Sequence, residues 1–300
     1  ALPFSAPDFN SGLFTRSKKM TQSMQSTICF IGTGNMASSL IGGLIANQYV
    51  ANNIIANDID AAKLQTIKQQ FSVRTETDMR PAIATADIVI LSVKPQIMQQ
   101  VCRSLAQAMP ESGSKPLFIS IAAGVRASDI NRWLGAGQAV VRCMPNTPAL
   151  VGLGACALFA NDAVSQHQKE QAEYIMQSTG ITEWVNPESQ LDAVTAISGS
   201  GPAYFFLFIE ALQNAAVELG LNPQIAATLA RQTALGAATM AVDQDVVKLR
   251  QQVTSKGGTT EQAIASFQSA NLASIVLQAT RAAQKRSVEL ANQLAGDSHE

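Results

Sequence analysis

From Thr27 onward the chain alternates short runs of β-branched and aliphatic residues with stretches whose apolar positions recur every three to four residues. The short runs predict strands over 27–31, 53–57, 88–93, 117–121, 139–144 and 155–160. Helical spacing fills most of the intervals, as over 36–48, 61–70 and 96–109. This alternation is the pattern of βαβ units around a mostly parallel sheet. The last strands follow one another through short connections, which predicts antiparallel additions at the edge.

After Asn186-Pro187 the texture changes. Residues 188–296 are rich in Ala, Leu and Gln and show no alternation of the strand kind. Gly220, Pro223, the Gly257-Gly258 pair and Asn271 divide this part into helices, with Asn271 suited to a left-handed C-cap. Helices over about 202–219 and 223–242 carry apolar residues nearly all round, so every face needs cover. A segment of this size has too little surface of its own for that, which predicts helices from a second subunit. The division expected is a flexible extension or tag over 1–26, a dinucleotide-binding domain over 27–186 and an all-α dimerisation and substrate domain over 187–300.

Composition narrows the partners. Only 14% of the 300 residues are charged while 47% are hydrophobic, against roughly 25% charged in ordinary soluble domains. Some surface is therefore expected to be hidden in an oligomer. A net charge of −1 gives no case for nucleic acid or an acidic membrane. No apolar run is long enough to span a bilayer, and residues 1–26 lack the apolar core of a secretion signal. Cys29, Cys102, Cys143 and Cys156 have no metal or redox spacing, so reduced thiols, no metal and a cytoplasmic setting are expected.

Several segments carry candidate chemistry. Ile31 leads into Gly32-Thr33-Gly34-Asn35-Met36-Ala37, a glycine turn that opens a helix. Its first glycine permits the turn, its second lets backbone approach a pyrophosphate, and Ala37 is small enough for close helix–strand packing. Asp58 ends the second strand, where an acid meets an adenosine ribose; with Asp60 and no arginine in the turn it leans modestly to NADH, or else these acids cap the next helix. Ser92-Val93-Lys94-Pro95, Ala122-Ala123-Gly124 and Pro145-Asn146-Thr147-Pro148 end successive strands at the edge where open sheets bind ligands. A flat ligand across them and an unliganded loop edge both fit that pattern. Near the end, Thr254-Ser255-Lys256-Gly257-Gly258-Thr259-Thr260 sets hydroxyls around a glycine pair before an alanine-rich helix. Thr259 and Gln262 have capping-box spacing, and backbone N–H groups after the glycines can hold a carboxylate. Neither His167 nor His299 is placed as a catalytic acid, and there is no P-loop or Ser/His/Asp order.

The segments at 32–36, 93–95, 121–124, 144–148 and 257–260, with Ser198-Gly199-Ser200-Gly201-Pro202-Ala203-Tyr204, resemble pyrroline-5-carboxylate reductase in order and spacing over about 27–292. The resemblance implies a Rossmann-like α/β domain followed by an all-α C-terminal dimerisation domain. It implies NADPH or NADH as cofactor, 1-pyrroline-5-carboxylate as substrate and L-proline as product. It also implies a homodimer whose active site draws on both subunits, with further assembly into a ring of dimers. Carried over residue by residue, it gives Ile31, Gly32, Thr33, Gly34, Asn35, Met36, Asp58, Ser92, Val93, Lys94, Pro95, Ala122 and Ala123 to the cofactor. Thr260 becomes the donor to the imine nitrogen, while Ser255, Gly258, Thr259, Thr260 and Asp243 meet the substrate. Lys256 stands where the family usually has proline and is expected to steer the anionic substrate; Met79 and Asp243 stand where asparagine and glutamate are frequent. The Ser198–Tyr204 stretch reads as a helix start allowing close subunit approach, or as a substrate contact.

Three rival readings stand beside this one. A β-hydroxyacid dehydrogenase needs a lysine where this chain has Phe205, and residues 201–220 hold no lysine or arginine. A nucleotide-binding sensor would keep the glycine turn but has no use for the 257–260 segment. A reductase of another cyclic imine fits the same residues.

Overall fold

A computed structural model describes residues 26–109 and 115–295. All but Ser26 of the extension expected over 1–26 falls outside them. The chain separates into two compact units, one ending at Gly199 and taking in the residues from Arg286 on, the other Ser200–Lys285. The texture of the sequence changes earlier, at Pro187.

The first unit is a sheet between helices. Its strands are β1 (Ile28–Ile31), β2 (Ile54–Asn57), β3 (Arg74–Glu76), β4 (Ile88–Leu91), β5 (Leu117–Ser120), β6 (Val140–Met144), β7 (Gly154–Ala160) and β8 (Gly180–Trp184). They lie in the order β3-β2-β1-β4-β5-β6-β7-β8. Strands β1 to β6 run parallel, β7 is antiparallel to β6, and β8 is parallel to β7. The order reverses between β1 and β4, the place where sheets of this kind bind ligands.

Central strands such as Ile-Cys-Phe-Ile in β1 are buried on both faces, which is why they read as continuous apolar runs. Alternate residues supply two cores. Ile28, Phe30, Ile54, Ile88 and Ile90 face one layer with α1 (Asn35–Ala46), α2 (Ala61–Phe71) and α6 (Gln166–Gln177). Cys29, Ile31, Ile55, Val89 and Leu91 face the other with α3 (Met79–Ile83), α4 (Met98–Ala108) and α5 (Ala127–Trp133). Local chemistry sets the helix starts: Asp60 accepts from the N–H groups of Ala62 and Lys63, and Ser165 with Gln168 closes a capping box.

Two strands go beyond the six expected. β3 is Arg-Thr-Glu, three half-buried residues with no apolar signal, held by pairing to β2. β8 forms the sheet edge, so β7 is antiparallel as expected but is not itself the edge. The fourth strand stops at Leu91, and Ser92 and Val93 already belong to the loop. The first unit also holds α7 (Gln190–Val194), a π-turn over Thr195–Gly199, and the last turns of α12 (Leu272–Ala295).

The second unit is helical: α8 (Gly201–Glu218), α9 (Pro223–Met240), α10 (Val246–Gln252), α11 (Thr259–Ser269) and the start of α12. Pro202 sits in the first turn of α8 and Asn222 caps α9 through the N–H of Gln224. Gly220 ends α8 with φ +93°, and Asn271 takes the left-handed conformation expected of it, φ 56°, between α11 and α12. In α8 only Gly201 is buried, although Phe205, Phe206 and Leu207 are successive residues exposed at 72%, 66% and 66%.

Candidate active site

The glycine turn leaves β1 at the reversal of strand order. Gly32 has φ +94°, and a Cβ there would come within 2.8 Å of the Ser92 carbonyl oxygen. Its N–H donates to Asn57 O at 2.8 Å. Ser92 holds the turn from the neighbouring strand end, its hydroxyl donating to Ile31 O at 2.9 Å and Gly32 O at 2.7 Å. Gly34 is the N-cap of α1, and nothing lies within 4 Å of where its Cβ would be. No acidic side chain occupies the first turn of α1, and Gly34 offers no capping side chain. The first amides of that helix therefore have neither an acceptor within it nor a capping side chain, the arrangement that accepts a phosphate. Ala37 is fully buried, as close packing of helix on strand requires.

Asp58 braces this turn. Its Oδ2 accepts from the Thr33 N–H at 2.9 Å and hydroxyl at 2.8 Å, and its Oδ1 accepts from the Asp60 N–H at 3.0 Å. Partial burial pushes the Asp58 carboxyl up, but the bonds from Asp60 and Thr33, with Lys63 nearby, outweigh it and leave the group below its ordinary value. Both oxygens thus serve the loop, and Asp60, the other acid, caps α2.

The remaining strand ends follow in order. Val93, Lys94 and Pro95 continue from Ser92, with Lys94 exposed and Pro95 opening a short 3-10 turn. After β5, Ala122 is buried, Ala123 is exposed and Gly124 has φ +75°. A Cβ on Gly124 would touch Leu294 at 3.5 Å, and Arg126 donates to Asn292, so the last turns of α12 back this loop. Sequence reasoning missed that support, because its residues lie at the far end of the chain. Beyond β6, Asn146 reaches Ala155 and Ser198.

In the second unit, Ser255, Gly258, Thr259 and Thr260 fall on one loop and helix start. Gly258, not Thr259, is the N-cap of α11, and the capping box expected between Thr259 and Gln262 does not form. Instead the Glu261 carboxylate reaches back to the Gly257 N–H at 2.7 Å. The Gly258 N–H donates to Ser255 O at 3.0 Å, so it is not free for a carboxylate as expected. The amides of Thr259, Thr260 and Glu261 form the first turn and have no acceptor within the helix. A Cβ at Gly258 would lie 2.6 Å from Ser255 Oγ, which keeps that position a glycine. Thr260 is half-buried, whereas Ser255, Lys256 and Thr259 are exposed. Asp243 is exposed on the separate turn between α9 and α10.

Among the described residues no group of His, Cys, Asp and Glu is arranged for a metal. No helix there is long and apolar enough to cross a membrane. His167 is exposed on α6.

Comparison with known proteins adds to this geometry. The family model "Pyrroline-5-carboxylate reductase dimerisation" matches residues 188–290, and "NADP oxidoreductase coenzyme F420-dependent" matches 27–124. A pyrroline-5-carboxylate reductase of Pseudomonas aeruginosa is 50% identical over 270 residues, covering 89% of this chain and 97% of that protein. Its counterpart in Vibrio alginolyticus is 44% identical over 266 residues, covering 88% and 97%. Among solved structures, a pyrroline-5-carboxylate reductase of Coxiella burnetii superimposes with TM-score 0.85 at 47% identity, covering 89% of this chain and 98% of that one. A Plasmodium falciparum pyrroline carboxylate reductase with NADP bound gives 0.76 at 30% identity, covering 89% and 98%.

Proposed function

This chain belongs to the pyrroline-5-carboxylate reductase family, and from that premise we propose how its residues divide the work. The reaction is reduction of 1-pyrroline-5-carboxylate to L-proline, the closing step of proline biosynthesis, by an NADP-type oxidoreductase. When bound, the nicotinamide cofactor, NADPH or NADH, supplies a hydride to the imine carbon. The C=N π electrons pass to nitrogen, which ends with a proton, so one hydride and one proton convert the imine to the amine.

A cyclic imine has an electrophilic carbon once its nitrogen is protonated or strongly hydrogen-bonded. The protein therefore needs orientation and a donor more than a strong base. For the cofactor, Gly32 to Met36 would meet the pyrophosphate at the open first turn of α1, with Ile31, Asp58 and Ser92 shaping that turn. Val93, Lys94, Pro95, Ala122 and Ala123 would line its path along the strand ends. For the substrate, the Thr259 and Thr260 amides would take the carboxylate, with Ser255 beside them. The Thr260 hydroxyl would donate to the imine nitrogen. Asp243 would be a peripheral contact and Lys256 a steering charge.

The observation that carries this assignment is the start of α11, where the half-buried Thr260 hydroxyl adjoins amides with no acceptor inside the helix and the Glu261 carboxylate is drawn back onto the Gly257 N–H. Replacing Thr260 by Val keeps the shape and removes the donor. Turnover followed at 340 nm should fall roughly 100-fold with NADPH binding unchanged; full turnover would remove Thr260 from the mechanism. In the same assay at low salt, Lys256→Ala should raise the KM for the imine, and an unchanged KM would end the steering role.

The exposed apolar length of α8 supports a homodimer formed through the matched dimerisation region. Assembly into a ring of dimers and residence in the cytoplasm complete the proposal.

A further inference from the structure

The carbonyl of Ser198 lacks its usual donor. In a continuing helix the N–H four residues on would take it, but residue 202 is proline and has none. The next amide, Ala203, is committed to Ser200 O at 3.1 Å. The backbone passes this point as a π-turn over Thr195–Gly199, a form that concentrates at functional sites. Two hydroxyls stitch the turn to α7: Thr195 donates to Leu191 O at 2.8 Å and Ser198 to Val194 O at 3.1 Å.

The missing donor comes from another element. Asn146 Nδ2 donates to Ser198 O at 3.1 Å, while its Oδ1 accepts from the Ala155 N–H at 2.9 Å. Asn146 follows β6, whose carboxyl end lies on the same edge as those of β1, β4 and β5. The end of the Met144 side chain also lies against Gly199, so β6 meets this backbone at a second place. One amide side chain therefore ties the last parallel strand end to the Ser198-Gly199 backbone, with both its polar groups used.

We infer that Asn146 is a positioning residue for the reduction, holding the Ser198-Gly199 backbone against the β6 strand end at the reacting end of the ligand edge. It acts through that backbone rather than on substrate or cofactor. The inference rests on the cofactor lying along the strand ends, as proposed above. A displacement of about 1 Å in such a support costs on the order of 100-fold in rate, whereas loss of one neutral hydrogen bond costs the fold only about 1 kcal/mol.

The test uses the full-length enzyme. Asn146→Asp keeps an acceptor for Ala155 but replaces the donor to Ser198 by a charged carboxylate oxygen, so the uncharged Asn146→Ser is measured beside it. Asn146→Asp should lower kcat about 10- to 100-fold, with the KM for the imine, the Kd for NADPH, the oligomeric state and Tm close to wild type. The primary isotope effect with 4-deuterated NADPH should rise, because hydride transfer becomes more fully rate-limiting. Pro202→Ala, which restores an N–H four residues after Ser198, should recover part of the lost kcat in the double variant. Asn146→Ser, too short to serve both partners, carries the same expectation and stands in if Asn146→Asp does not fold. An unchanged kcat, or a loss that tracks Tm and NADPH affinity with no change in isotope effect, would overturn the role. Gly32→Ala is the separate control: normal NADPH binding by that variant would overturn the strand-end seat itself, and this inference with it.

Discussion

At the scale of single residues, the proposed binding edge depends on side chains that hold backbone. Ser92 fixes two carbonyls of the glycine turn and Asp58 fixes Thr33. Asp58 gives this brace a pH dependence. Its folded carboxyl titrates below its ordinary value, about 3.9 when unfolded. The stabilisation is therefore complete above the unfolded value and is lost as pH falls through the folded one. Melting curves between pH 7 and 3 should show wild type losing its advantage over Asp58→Asn in the acid part of that range. Parallel curves for the two proteins would mean the carboxylate contributes nothing.

Among the elements, what could be read from sequence was whatever repeats locally. Strands such as β1 and β4 show as Ile- and Val-rich runs because both their faces are buried. The glycine turn shows because its three small positions fall within six residues between strand and helix. Asn271 shows because few residues besides glycine accept a positive φ. What failed was decided by competition or by distance. Glu261 displaced Gln262 in capping the Gly257 end of α11, and only their geometry separates them. β3 has no apolar residue to announce it. Asn146 meets a partner 52 positions away, and no local pattern encodes that bond. The four cysteines are free and buried, with Cys143 and Cys156 side by side despite standing 13 positions apart in the chain. Burial pushes Cys29 and Cys102 up to about 12, and it pushes Cys143 well up, helped by its neighbour Cys156. A chromogenic disulfide reagent at pH 8 should leave the native protein nearly untouched and titrate four thiols in guanidinium. A fast-reacting native thiol would show that a core strand or α4 opens readily.

For the molecule as a whole, the low charge of the sequence and the surface of α8 point the same way. Phe205, Phe206 and Leu207 project in successive directions, so no single face of the helix could hide them. Within the matched dimerisation region, Phe206→Asp would place a carboxylate in an apolar contact, at a cost of several kcal/mol. Sedimentation at micromolar concentration should find monomer where wild type is dimeric, and reductase activity should fall with it. A variant that stays dimeric would put the interface elsewhere on the chain.

The last helix has a consequence in time as well as in space. Residues from Arg286 on belong to the first unit, and Leu294 and Asn292 support the loop at Gly124 and Arg126. A ribosome that has delivered everything up to Gly199 has therefore still withheld part of what that unit is made of. The nascent sheet must wait, with its loop after β5 unbacked, until the entire helical unit has been synthesised. At roughly 5–20 residues per second, the helical unit Ser200–Lys285 takes about 4–17 s. Completion of the proposed cofactor edge is thereby tied to synthesis of the last turns of α12.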